Sequence, residues 1–295
     1  MKLLKSVLTL MMIAVMVTSC DKDETPGVPE TYMELDYTEE GCFNYIYKKS
    51  TSKGVVSNRT TYKFRWNDDY TADVHVYNAK FSERMPDGVN ISFKGLKWEA
   101  VDDWKKISVN DIVPTVVTNN GDSVDASAFV LDNLTVNVFD RRLLNFTPEY
   151  IPIINVSMTM GDVEVVAVQK RIVYSGVTNV KNVSSGAAFN HNSALYQIVL
   201  DESTMQATID IFGAKFAEKM PAMDMKFAGV AFELSNKGYV LECNELIPTI
   251  KDVPYPNYKV TNLNGDAMFE TGLSLDFDCR ETYSVQANLG YPLVL

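Results

Sequence analysis

Few side chains in this 295-residue chain stand at spacings that chemistry demands. Asp276 and Asp278 lie two apart in an alternating run, so both carboxylates leave the same side of a strand. With Glu281 nearby they are candidate oxygen ligands for a hard cation such as calcium. Acids on the wet face of a strand give the same pattern, and no metal site is expected. Asp68 and Asp69 raise the same two readings in a turn. Tyr62, Trp66, Trp98 and Trp104 are candidate flat surfaces on which sugar rings stack. Trp104 neighbours Asp102, Asp103, Lys105 and Lys106, which marks it as the aromatic expected at the surface. Pro254, Tyr255, Pro256 and Tyr258 form a Pro/Tyr loop. Loops on rigid scaffolds often carry binding, so Tyr255 and Tyr258 join Trp104 as candidate ligand contacts. A merely longer connection is the alternative. No nucleophile elbow, phosphate loop, Cys-x-x-Cys or His-Glu-x-x-His occurs. Paired acids for glycoside hydrolysis need no local motif, yet the expectation is a body that is no enzyme and holds no cofactor.

The N-terminus carries a different chemistry. Lys2 and Lys5 precede an apolar run from Val7 to Val17 that is too short to span a bilayer comfortably and suits a signal h-region. The run ends Val17-Thr18-Ser19-Cys20, which resembles a lipobox. Cleavage before Cys20 needs small residues there, the thiol takes a diacylglycerol, and several acyl chains anchor firmly where one does not. Residues 1–20 are therefore expected to be a lipoprotein signal peptide and 21–36 a tether. Lys22-Asp23-Glu24 resembles the export signal of Bacteroidetes lipoproteins, which implies an outer-membrane lipid anchor at the cell surface. The periplasmic face is the alternative. Asp122-Ser123-Val124 resembles the acceptor for O-glycosylation in the same phylum, which makes Ser123 a candidate modification site.

Residues 1–20 hold two lysines and no acid, so the rest has 25 basic against 38 acidic residues, a net charge of −13. That argues against nucleic acid or an anionic membrane surface as a partner, since both select basic patches. Three cysteines remain beyond Cys20: Cys42, Cys243 and Cys279. An odd number is no disulfide framework. They are expected as small apolar residues, with Cys243–Cys279 the one plausible pair. His75 and His191 are the only histidines, too few for a His-rich metal site.

The elements that position these residues come from an internal repeat. Tyr77 to Pro86 matches Phe212 to Pro221 with six of ten positions identical. Phe93–Glu99 then parallels Phe227–Glu233, Asn110–Val116 parallels Asn244–Ile250, and Asn120-Gly121-Asp122 parallels Asn264-Gly265-Asp266. Trp98 thus shares a position with Phe232, which points to a core role. The runs Ala72–Tyr77, Leu134–Phe139, Ile154–Met160, Ala207–Phe212 and Leu273–Asp278 alternate apolar and polar residues, the period of half-buried strands. Val163–Val168 is a further strand, and a helical turn or bulge is expected at Phe81–Met85 and Phe216–Met220. Turns are expected at Asn67-Asp68-Asp69, Pro86-Asp87-Gly88, Asn119–Asp122 and Asn264-Gly265-Asp266. The fold class is all-β: two tandem antiparallel barrels over 37–170 and 171–295, with a pair of β-sandwiches as the alternative.

The repeated block, a strand ending in Lys-Phe, a Met-Pro turn and a strand with Phe then Gly, resembles the calycin-like (lipocalin-like) domains of Bacteroidales lipoproteins. The resemblance covers both copies and implies barrels with internal cavities. It names no ligand residue, and Trp66, Trp98 and Trp104 do not form the Gly-x-Trp start of lipocalins. The expected function is a non-catalytic binding module for a small apolar ligand or a glycan, since two linked copies raise avidity. A structural or adhesive surface protein is one alternative, and an enzyme of unrecognised class another. Replacing Cys20 by alanine is expected to abolish incorporation of a labelled fatty acid and to release the chain from the membrane fraction.

Overall fold

The structure is a computed structural model that describes residues 35–36, 42–102, 104–139 and 153–291. The expected signal peptide, Cys20 and nearly all of the tether lie outside the described residues.

The first half contains β1 (Leu35–Asp36), β2 (Cys42–Lys48), β3 (Lys53–Trp66), β4 (Thr71–Ala79), β5 (Val89–Lys97), β6 (Glu99–Val101), β7 (Trp104–Ile112), β8 (Thr115–Thr118), β9 (Leu131–Phe139), β10 (Ile153–Met160) and β11 (Val163–Gln169). The second contains β12 (Arg171–Asn182), β13 (Ala188–His191), β14 (Leu195–Asp201), β15 (Gln206–Ala214), β16 (Met223–Leu234), β17 (Gly238–Leu246), β18 (Thr249–Ile250), β19 (Val253–Pro254), β20 (Val260–Met268), β21 (Gly272–Cys279) and β22 (Tyr283–Gly290). No α-helix occurs among the described residues, and the repeated Lys-Phe segment forms only a single turn, with the Met85 amide donating to Ser82 O at 3.1 Å.

The second half closes on itself. Its ladders run β15-β14-β12-β22-β21-β20-β17-β16, and β15 pairs with β16 to complete a ring of eight antiparallel strands. That closing ladder overturns the sandwich alternative for this half. Alternation explains why: along β15 the residues Ala207, Ile209 and Ile211 are buried while Thr208, Asp210 and Phe212 are less so. The inner face holds Tyr174, Tyr196, Tyr239 and Phe227, all nearly inaccessible to solvent. Their hydroxyls are satisfied internally: Tyr174 and Tyr239 meet at 3.1 Å, and Tyr196 meets Thr178 Oγ1 at 2.7 Å. Buried hydroxyls without partners are costly, so these pairs let large polar rings fill a core.

The first half forms a second large sheet of the same strand sequence: β6-β7-β9-β10-β11-β2-β3-β4-β5, with β8 beyond β5. β5 and β6, on opposite sides of this sheet, are separated in the chain by Trp98 alone. Registers coincide between halves. The pairs Ala72↔Leu96, Val74↔Phe93, Val76↔Ile91 and Ala79↔Val89 recur as Ala207↔Val230, Ile209↔Phe227, Ile211↔Met225 and Ala214↔Met223, with the same two irregularities in each ladder. The bulge places Asn78 and Gly213 at one repeat position, with φ of 60° and 71°. Asparagine and glycine are the residues that tolerate this conformation best. Phe81 and Phe216 follow, each buried, each with its amide donating to a methionine sulfur: Met85 at 3.3 Å and Met220 at 3.2 Å.

The fourth matching block does not hold. Asn120-Gly121-Asp122 is a turn, but Asn264-Gly265-Asp266 lies inside β20. Gly265 is there for space: a Cβ on it would stand 3.0 Å from Leu241 Cβ and 3.2 Å from Leu275 Cδ1.

Only Lys170 separates β11 from β12, so the halves are joined without slack. They share a seam. In β2 and β11 both faces are buried: Cys42, Ile46, Val165 and Ala167 pack into the first half's core, while Phe43, Tyr45, Val166 and Val168 join the core of the second. This explains the unbroken apolar run Val163–Val168, since a strand covered on both faces loses its alternation. Phe43→Ala is expected to destabilise the protein by about 3–5 kcal/mol, the usual cost of a phenylalanine-sized cavity, measurable by chemical denaturation.

Candidate functional site

Beside this seam the outward positions of β9 and β10 form a wall. Inward go Leu134, Val136 and Val138, and Ile154, Val156 and Met158, all buried. Outward go Asn133, Thr135 and Asn137, directly opposite Thr159, Ser157 and Asn155. All six are neutral and polar, in a chain with net charge −11. The neighbouring strands extend the wall with Ser108 and Asn110 of β7 and Glu164 of β11. Asn133 Nδ2 donates to Asn110 Oδ1 at 2.9 Å, and Thr135 Oγ1 to Asn133 Oδ1 at 2.9 Å.

Two hairpins of the second half form the opposite side. The β16–β17 turn supplies Asn236 and Lys237, and the β20–β21 turn supplies Met268, Phe269, Glu270 and Thr271. Together they enclose a groove of about 520 Å³, within the size range of small-ligand sites. Asn155 Nδ2 donates to the Phe269 carbonyl, which also accepts from the Tyr291 hydroxyl at 2.6 Å. Glu164 is held from two directions: Ser157 Oγ donates to Oε1 at 2.9 Å and Asn236 Nδ2 to Oε2 at 3.0 Å. A more open depression of about 390 Å³ lies against β20–β22 and shares Met268 and Thr271 with the groove.

The chemistry of this wall is recognition. Amides and hydroxyls present donors and acceptors on the same side chain, which matches a ligand that does the same. Met268 gives an apolar edge. The ionisable group with a perturbed proton affinity here is Tyr291, whose hydroxyl is pushed well above its ordinary value by burial, with Tyr174 and Glu270 adding to the effect. Among the described residues no three His, Cys, Asp or Glu side chains converge as a metal site.

The residues singled out from sequence fall elsewhere. Trp104 is only partly open to solvent, a correction to its expected exposure. It is half-buried, opposite Phe139 on β9, with ring centres 5.2 Å from Phe139 and 5.6 Å from Tyr291. Its rings serve the seam between halves. Tyr255 is exposed on a short 3₁₀ turn and Tyr258 is half-buried beside it at 5.9 Å, with Arg280 5.7 Å from the Tyr258 ring. Tyr62 is in the core, its hydroxyl donating to Asn44 Oδ1 at 2.6 Å. Trp66 and Trp98 meet edge-on at 5.5 Å, although Trp98 is less buried than its counterpart Phe232. Asp276 and Asp278 both face outward from β21, and Asp278 accepts from Asn262 at 2.9 Å. Asp69 is held below the usual carboxylate range by the Thr71 hydroxyl, so it caps a turn. Ser123 is exposed beyond the Thr118–Asp122 turn. Cys20 lies outside the described residues.

The wall itself was missed from sequence. Its signal was present in the runs Asn133–Asn137 and Asn155–Thr159, where every outward residue is uncharged. What the sequence lacked was the facing pair of hairpins, 72 or more positions away. The chain matches no family model, no curated protein and no solved structure.

Cys243 and Cys279 are unpaired, so the disulfide considered from sequence does not form. Cys279 Sγ lies 3.7 Å from Tyr258 O, Cys243 Sγ 3.3 Å from Glu245 O, and Cys42 is buried. Burial pushes the Cys279 thiol up to about 12 and raises Cys42 further still. Both should therefore resist alkylation at pH 8 in the native protein and react after denaturation, as peptide mass mapping would report.

Proposed function

We propose that this chain is a cell-envelope lipoprotein, anchored in the outer membrane through acylated Cys20, whose body binds a glycan without transforming it. The groove beside the seam carries the reading: across about 520 Å³, six neutral amide and hydroxyl side chains on β9 and β10 face two hairpins that add the apolar Met268 and Phe269 among Asn236, Lys237, Glu270 and Thr271. Sugars offer the same alternation of hydroxyl donors and acceptors with patches of C–H surface. The inner faces of both halves are occupied by their own large rings, including Tyr62 and Phe64 in the first and Tyr174 and Tyr196 in the second. This favours the glycan over a small apolar ligand held inside a barrel.

The architecture supports two calycin-like barrels. The first half shares its strand order and registers with the closed ring and runs from β5 to β6 through Trp98, whose amide donates to Tyr70 O at 3.1 Å as Phe232 donates to Met205 O at 3.1 Å. The acidic tether after Cys20 supports display at the cell surface. An adhesive role has its own support: Ile247, Val253 and Tyr255 are each more than 40% exposed around β18 and β19, a surface suited to a macromolecular partner.

A glycan array followed by calorimetry on the best hit tests the assignment. Thr135→Arg, which drives a long charged side chain into the groove, should weaken binding by on the order of a hundredfold, about 2.7 kcal/mol. Equal binding by the variant, or an array with no hit, would remove the groove as the site.

A further inference from the structure

The groove does not end at the β20–β21 hairpin. Met268 and Thr271 line both the groove and the adjoining depression of about 390 Å³. The depression carries a recognition row of its own. Asp266 of β20 stands opposite Ser274 of β21, and Ser274 opposite Asn288 of β22, all three exposed. Val177 of β12, 42% exposed, continues the row beside Asn288. Hydroxyl and amide groups beside an exposed aliphatic side chain are the combination already met in the groove, where Met268 supplies the apolar part.

The floor of the depression is bare backbone. Alternation along β22 sends Asn288 and Gly290 outward on either side of buried Leu289. Gly272 lies against Gly290: a Cβ on Gly272 would stand 3.0 Å from the Gly290 Cα. Gly272 has a φ of 126°, a conformation that calls for glycine. Gly290 has no such reason. Its φ is not positive, and a Cβ on it would meet no atom within 4 Å. A glycine inside a strand gives up packing, and it often marks a place where a ligand approaches the backbone closely. The charged side chains around the two hollows are Glu164, Glu270 and Asp266 against Lys237. That balance repels uronic and sulfated chains and accepts uncharged ones.

We propose that the groove and the depression are consecutive parts of one site, which takes an extended, uncharged oligosaccharide chain along its length. The proposal rests on the glycan reading of the groove and adds the form of the ligand. The chain fills the β9–β10 groove, crosses the rim at Met268 and Thr271, and lies on the Gly272–Gly290 floor. A sugar in the depression is linked to one already held in the groove, so its contacts are gained without a second loss of free motion.

Calorimetry of the whole protein with malto-, cello-, laminari- and manno-oligosaccharides, from disaccharide to octasaccharide, tests this. In a series that binds, affinity should rise by on the order of tenfold or more between the shortest and the longest chain. Gly290→Arg lays a long side chain over the bare floor. It should return the longest chain to the affinity of the disaccharide and leave the disaccharide unchanged, whereas Thr135→Arg should weaken both. Circular dichroism and chemical denaturation confirm that Gly290→Arg is folded. Oligogalacturonides should bind more weakly than the uncharged chains. Affinity independent of length, or long-chain binding unchanged in Gly290→Arg, would overturn the two-part site and leave the groove reading standing. So would tighter binding of oligogalacturonides, or no binding in any of the series while the glycan array gives a hit of another kind. An array without a hit would remove both readings together.

Discussion

Burial of β2 and β11 on both faces is the constraint on which the rest of the molecule depends. A half-buried antiparallel sheet needs only one face covered. Here Phe43, Tyr45, Val166 and Val168 turn outward from the first half and enter the second half's core. The gain is hydrophobic, about 25 cal/mol for each Å² of apolar surface withdrawn from water. The consequence is geometric. With the seam fixed on β2 and β11, the next strands, β10 and β9, bring their polar outer face under the hairpins at Asn236 and Phe269. The groove is a by-product of where the seam ends. Asn155, Ser157 and Glu164 bond across or along that border, so the recognition wall and the inter-half contact share residues.

The strands were legible in sequence because their cause is local. Alternation in Ala72–Tyr77, Leu134–Phe139, Ile154–Met160 and Leu273–Asp278 follows from one wet and one dry face, and each run is a strand. The continuous run at Val163–Val168 was legible as a strand, though not as a seam, because nothing in it says which second surface will cover it. Asn264-Gly265-Asp266 misled for a related reason. Turn chemistry and close packing both select glycine, and only the neighbouring Leu241 and Leu275 decide between them. Trp104 misled through its charged neighbours: Lys105 and Lys106 describe the strand's faces, while Tyr291, in the other half of the chain, determines what covers the indole. The wall of Asn133, Thr135, Asn137, Asn155, Ser157 and Thr159 was readable as a solvent face. It gains meaning only from the hairpins opposite.

The repeat was the strongest long-range signal, and three of its four blocks map onto identical registers. What the copies retain is backbone: the bulge at Asn78 and Gly213, the methionine sulfur that accepts the Phe81 or Phe216 amide, the turn after it. What they vary is one end of the sheet, where Leu200 and Phe232 in one copy stand as Trp66 and Trp98 in the other. Retained irregularities belong to the closure of the ring, since bulges bend and twist strands. Varied side chains sit where a change costs packing at one end and leaves the ladder untouched.

The shared registers also bear on how the chain must assemble. Two halves with the same ladder pattern and a join of one residue offer each strand a second acceptable partner during folding: β4 is presented with β16 as well as β5. Repeated domains misassemble by this route. Trp98 crowds a place shaped for Phe232, and Leu200 leaves space in a place shaped for Trp66, so an exchanged hairpin packs less well than the native one. Divergence at these sheet ends therefore acts as an address, matching each hairpin to its own sheet.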